Sequence, residues 1–82
     1  MKRGPYKPDK RAELARLEQR RKRAGVTIDE LADRAGIEVR TLYRIRRTGF
    51  AFTRTIVALR MALRAIEKDR KLDEALFPGG DA

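Results

Sequence analysis

Apolar residues recur at helical spacing along most of the chain, and this pattern predicts several helices and no strands. The first predicted helix covers 9–24, the second ends at Ala35, and the third covers 39–47. A longer fourth helix covers 54–68, where Ile56, Leu59, Leu63 and Ile66 follow the spacing i, i+3, i+7, i+10.

Local signals set the boundaries of these helices. Thr27 followed by Glu30 predicts a capping box at the start of the second helix, and Gly36 predicts its end. Val26 and Leu31 are spaced for a hydrophobic staple across the same boundary. The first helix is predicted to end at Gly25 and the third at 48–49, while Glu38 and Thr53 are the predicted caps of the third and fourth.

After Lys68 the apolar pattern breaks, and a further short helix is predicted behind Asp73 and before Pro78. The predicted fold is all-α, a compact bundle of four to five short helices occupying residues 9–78. Residues 1–8 are predicted to form a flexible basic arm, and residues 79–82 are predicted to form a frayed tail.

Composition narrows the classes of function. The chain has 82 residues, 21 Lys and Arg against 12 Asp and Glu, and a net charge of +9, which suits a polyanionic partner. With neither His nor Cys, it lacks the usual general base and the commonest metal ligands, so neither an enzyme nor a metal or other cofactor is expected. The acids Asp29, Glu30 and Asp33 fit a helix start better than a metal site.

The excess charge is concentrated near the N-terminus. Residues 1–25 hold ten basic and three acidic residues, a net of +7. No membrane span or signal peptide is evident, so a cytoplasmic location is expected.

Two short helices joined by a tight turn containing Gly form a helix-turn-helix. Here the segment TIDELADRAGIEVRTLYRIRRTG (27–49) resembles the lambda-repressor-like, XRE-type family of DNA-binding proteins, and TRTIVALRMAL resembles the helix that follows. The resemblance, with the helix-turn-helix itself at 27–48, implies a small regulator of transcription, such as a phage or mobile-element repressor. It implies a homodimer that binds an inverted repeat in double-stranded DNA. Two positions depart from the family pattern: Ile28 stands where Gln is common, and Glu38 stands where Ser or Thr usually caps.

The third helix has a basic side that can be derived without the resemblance. Leu42 and Ile45 define its buried direction, and Arg40, Tyr43, Arg44 and Arg47 fall on the opposite side at about 100° per residue. Arg46 lies nearer the buried edge and is expected to snorkel or to pair with an acid.

The guanidinium group of arginine can donate two hydrogen bonds to O6 and N7 of guanine. In helix-turn-helix proteins the N-terminal part of the second helix, here the predicted helix 39–47, contacts base edges. The predicted base-reading residues are Val39, Arg40, Tyr43 and Arg44. The residues predicted to contact phosphates or the minor groove are Lys2, Arg3, Lys7, Arg20, Arg23, Thr27, Thr41 and Arg47.

Two alternatives remain open. One is an antitoxin-type protein-interaction module that binds DNA secondarily, using apolar residues such as Val57, Met61, Leu72, Leu76 and Phe77. The other is a non-specific architectural nucleic-acid binder.

Overall fold

The computed structural model describes residues 8–76, and within them the chain forms helices and no strand. The helices are α1 (Arg11–Ala24), α2 (Ile28–Ala35), α3 (Val39–Thr48) and α4 (Thr53–Leu76). The predicted arm and tail lie outside the described residues, apart from Pro8, whose carbonyl accepts a hydrogen bond from the Ala51 amide. The all-α prediction is confirmed.

The predicted capping box of α2 is present. The Thr27 hydroxyl accepts from the Glu30 amide at 3.0 Å, and the Glu30 carboxylate accepts from the Thr27 amide at 3.0 Å. Val26 and Leu31, the predicted staple, are both buried. Gly36 ends the helix in the left-handed conformation (φ 75°), as glycine does without steric cost.

Two predicted helix starts and one predicted side-chain cap were wrong, whereas α3 begins at Val39 as predicted. α1 begins at Arg11 rather than at residue 9, because Asp9 pairs in an isolated bridge with Phe50. Glu38 stands at the N-cap of α3 but its side chain makes no capping hydrogen bond. Thr53 is the first residue of α4 and not its cap; the carbonyl of Phe52 accepts the first amide bonds, from Thr55 and Ile56.

The predicted break after Lys68 was also wrong, because α4 continues without interruption to Leu76 and spans 24 residues. Burial does end near this point: within residues 8–76, Ile66 is the last buried residue, and residues 71–76 are all exposed. The helix nevertheless continues, because neither Gly nor Pro interrupts residues 67–76 and most of them favour helix. The apolar pattern thus reported the end of the core and not the end of the helix.

All four helices contribute to one hydrophobic core. α2 packs against both α3 and α4, and α1 packs against α4. The predicted stripe of α4 is confirmed, since all four of its apolar residues are buried. The core consists of Leu17, Val26, Leu31, Ala32, Leu42, Ile45, Ala51, Ile56, Leu59, Ala62, Leu63 and Ile66.

Candidate nucleic-acid interface

The outer side of α3 is an exposed basic surface. Leu42 and Ile45 are buried at 2% and 5% exposure and hold the helix on the core. The opposite side is in solvent, where Tyr43 is 50% and Val39 38% exposed. The remaining exposed residues of this side are Arg40, Arg44 and Arg47.

The three arginines of this surface have no ion-pair or hydrogen-bond partner within residues 8–76. No group of the described part of the chain occupies their guanidinium donors, which are therefore available to an incoming acceptor. Tyr43 and Arg47 lie side by side on the surface, together with Arg46. We call Val39, Arg40, Tyr43, Arg44 and Arg47 the α3 surface.

Arg46 borders the α3 surface but is bound by an acid on α1. Its Nη2 lies 3.0 Å from Oε2 of Glu18, so the sequence-based expectation of an acidic partner is confirmed. Glu18 is shared with Arg21, which also donates to the carbonyl of Val26 at 2.7 Å. The hydrogen bond from Arg21, with a further contribution from Arg46, holds the pKa of Glu18 below its usual value, while Glu18 raises the pKa of Arg21. Arg46 therefore joins α3 to α1.

A second ionic cluster joins α4 to the start of α2. The Arg70 guanidinium donates to both carboxylate oxygens of Glu30, at 3.1 and 2.9 Å, and to the carbonyl of Ala24. The pKa of Glu30 is lowered, first by the hydrogen bond from the Thr27 amide and then by Arg70. Arg34 pairs with Asp69 at 3.1 Å. The Glu30 carboxylate is thus bound within the protein, and residues 8–76 contain no group of three acids arranged to hold a metal ion.

The residues predicted to contact phosphate are not gathered in one place. Arg20 pairs with Glu67 of α4 at 2.8 Å, and Arg23 lines a groove against α4. The Thr27 hydroxyl takes part in the capping box, and Thr41 is half-buried on α3. Of this set, the structure places Thr41 and Arg47 on α3 and Arg20 and Arg23 beside α4; Lys2, Arg3 and Lys7 lie outside the described residues.

Sequence reasoning missed a second set of basic side chains, on the outer side of α4. Arg64, Lys68 and Lys71 line the same groove as Arg23. Their spacing of i, i+4, i+7 in the segment RAIEKDRK indicates that they share one side of a helix. It was missed because the predicted break after Lys68 would have separated Lys71 from the other two.

Comparison of the chain with protein-family models, with curated proteins and with solved structures gives no match. Within residues 8–76, no helix combines the length and the apolar character that crossing a bilayer requires.

Proposed function

We propose that the chain is a sequence-specific double-stranded DNA-binding regulator of transcription, in which α2 and α3 act as a helix-turn-helix. The observation that carries the proposal is the α3 surface: three arginines without a partner in residues 8–76, and an exposed tyrosine, opposite the buried side of one helix. The XRE-type resemblance and the net charge of +9 support the same reading.

The dimensions and chemistry of α3 suit the major groove. A helix with its side chains is about 10–12 Å across, and the major groove of B-DNA is about 12 Å wide. The arginine fork matches the O6 and N7 acceptors of guanine. In this proposal Arg40, Tyr43 and Arg44 read base edges, Val39 contacts a thymine methyl group, and Arg47 holds a phosphate.

Glu38 adds a constraint on docking. It is exposed at the N-cap of α3, and its carboxylate makes no capping bond. A carboxylate accepts hydrogen bonds and repels phosphate, so close approach of Glu38 to the DNA backbone is disfavoured. The N-terminus of α3 is therefore expected to point toward base edges, where an acid can accept from the amino group of cytosine.

Binding as a homodimer to an inverted repeat is part of the proposal, because helix-turn-helix dimers bind half-sites about 34–36 Å apart. Exposed apolar side chains on α4 support a protein contact of this kind: Met61 is 65% and Val57 40% exposed. The same residues favour the second candidate function, an antitoxin-type module with a different protein partner. Sedimentation of the isolated chain separates the two, since a self-contained regulator is expected to sediment as a dimer.

The test of sequence-specific binding is selection of bound duplexes from a random pool. Affinity for the selected sequence is then compared with affinity for a scrambled duplex at about 150 mM salt, where specific binding is typically 10³–10⁷ times tighter than non-specific binding. Equal affinity for both duplexes would refute the regulator proposal.

Arg40→Ala tests whether Arg40 itself contacts a base. Loss of a bidentate base contact is expected to reduce discrimination against the wrong base at one position by about 1–3 kcal/mol, which is about 5–150-fold in relative affinity. The matched control is Arg60→Ala, which removes the same charge from an exposed position on α4. If both variants weaken binding to all sequences alike, Arg40 contacts phosphate and not a base.

A further inference from the structure

A second basic surface lies between the C-terminal end of α1 and the outer side of α4. Arg23 of α1 faces Arg64, Lys68 and Lys71 of α4 across a shallow groove. All four side chains are exposed. We call these four residues and the space between them the α1–α4 groove.

The charges of the groove are not balanced by other side chains of residues 8–76. Of the other ionic side chains that line it, Glu67 is bound to Arg20, and Arg70 is bound to Glu30. The four groove cations have no ion-pair or hydrogen-bond partner in residues 8–76, and Glu74 is the one carboxylate at the groove that is likewise unpaired there. Four cations against one anion is a surface that attracts a polyanion.

The spacing along α4 suits a nucleic-acid strand. Arg64 and Lys71 are seven residues apart, or about 10 Å along the helix axis, with Lys68 between them. Successive phosphates of one strand of B-DNA rise about 3.4 Å along the duplex axis, so three steps cover about the same distance. A phosphate strand running beside α4 can therefore meet the three cations in succession.

The groove and the α3 surface share no residue. The groove lies between α1 and α4, whereas the α3 surface belongs to one helix, which packs against α2. The residues of both surfaces are exposed. The groove cations are therefore not among the side chains that hold the first duplex in the proposed function.

We propose that the α1–α4 groove binds the phosphate backbone of a second DNA segment, so that one chain connects two duplexes. The proposal rests on the proposed function for the first duplex, which α3 holds. Binding in the groove is expected to be independent of base sequence, because contacts to phosphates fix the position of the strand and carry no sequence information.

A second copy of the chain is a poorer occupant of the groove. Symmetric packing of α4 on α4 across this side would bring Arg64 and Lys68 close to the same residues of the partner. Apposed like charges at an interface disfavour association. The phosphates of a DNA strand would instead place negative charges opposite Arg64 and Lys68.

The experiment is capture of one duplex by another through the full-length chain. One duplex is fixed to beads, the chain is added, and a labelled duplex of unrelated sequence is supplied in solution. The wild-type chain is expected to capture the labelled duplex. Arg64→Gln combined with Lys68→Gln is expected to weaken capture strongly, and the slope of log affinity against log salt concentration for the captured duplex should be shallower by about 1.8, for two lost phosphate contacts.

Two controls separate the groove from net charge and from misfolding. The charge-preserving pair Arg64→Lys and Lys68→Arg is expected to retain capture, and helix content by circular dichroism should be unchanged in every variant. Arg60→Gln removes a charge from the same helix outside the groove and is expected to leave capture largely intact.

The proposal is overturned if the wild-type chain captures nothing, if the Gln pair captures as much as wild type, or if Arg60→Gln reduces capture equally. Capture that survives in the Gln pair would mean that two α3 surfaces of a dimer connect the duplexes. Failure of the proposed function is measured separately, as equal affinity of a single selected duplex and a scrambled one.

Discussion

Arg44 and Arg46 lie two residues apart on α3 but are expected to respond oppositely to replacement by alanine. Arg44 is exposed and has no partner within residues 8–76, whereas Arg46 is bound to Glu18 at 3.0 Å. Arg44→Ala should therefore weaken DNA binding and leave stability unchanged. Arg46→Ala should lower stability and leave base preference unchanged.

The size of each effect follows from exposure and partners. The side chains of Arg46 and Glu18 are 35% and 25% exposed, so the pair is partly screened by solvent. Exposed ion pairs contribute about 0.2–1 kcal/mol, and loss of the packed arginine stem adds to this, so we expect about 1 kcal/mol for Arg46→Ala. In a domain of this size that corresponds to about 4–8 °C in Tm. Arg44→Ala is expected to change stability by at most about 0.5 kcal/mol.

The assays are thermal unfolding and competition binding with base-substituted versions of the selected duplex. Arg44→Ala should lose about 5–150-fold in discrimination at one base position, whereas Arg46→Ala should weaken all sequences slightly and equally. A double-mutant cycle with Glu18→Gln should show coupling to Arg46 and none to Arg44. A base-specific loss in Arg46→Ala, or equal destabilisation by both variants, would refute the assignment of roles on α3.

Three further predictions concern stability. Gly36→Ala is expected to lower the free energy of unfolding by about 1–2 kcal/mol, because its φ of 75° strains a residue with a Cβ; the space around that Cβ is open, so no clash adds to the cost. Gly49→Ala should lower it by at least as much, since a Cβ there would also lie 2.6 Å from the Cγ of Arg11. Urea unfolding of both variants tests this, and two values near zero would contradict it. Leu63→Ala, at 0% exposure, should cost about 2–5 kcal/mol by the same measurement, and a cost under about 1 kcal/mol would mean that the site is not in the core. The pKa of Glu18 is lowered in the folded chain, first by the hydrogen bond from Arg21, so the stabilisation by Glu18 is complete above its ordinary pKa of 4.5 and is lost as the pH falls through the folded pKa. Glu18→Gln should therefore flatten the plot of unfolding free energy against pH in that range. An unchanged plot would contradict the lowered pKa.

Much of the fold could be predicted because the relevant signals act over short distances along the chain. The capping box at Thr27 and the left-handed glycines at 25, 36 and 49 act within one turn of the helix that they bound. The buried stripe of α4 from Ile56 to Ile66 follows from helical periodicity. The exposed side of α3 follows from the same geometry once Leu42 and Ile45 are assigned to the core.

The errors arose where a local pattern had more than one cause. The apolar stripe of α4 stops near Ile66 because no residue between there and Leu76 is buried in the core, and the sequence pattern does not distinguish this from a helix end. Glu38 and Thr53 are residue types that cap helices, but neither side chain provides the predicted cap. Capping also depends on the direction in which the preceding chain enters the helix, which distant contacts decide.

The sequence by itself determined where α2, α3 and most of α1 and α4 lie, which sides of them are buried and which arginines of α3 face outward. Only the tertiary structure decided which charges are paired: Arg46 with Glu18 across 28 residues, Arg20 with Glu67 across 47, and Arg70 with Glu30 across 40. Local periodicity carries no information about partners at such separations, because packing of the core sets which helices are neighbours. That packing also places Arg23 beside the cations of α4 and so creates the α1–α4 groove.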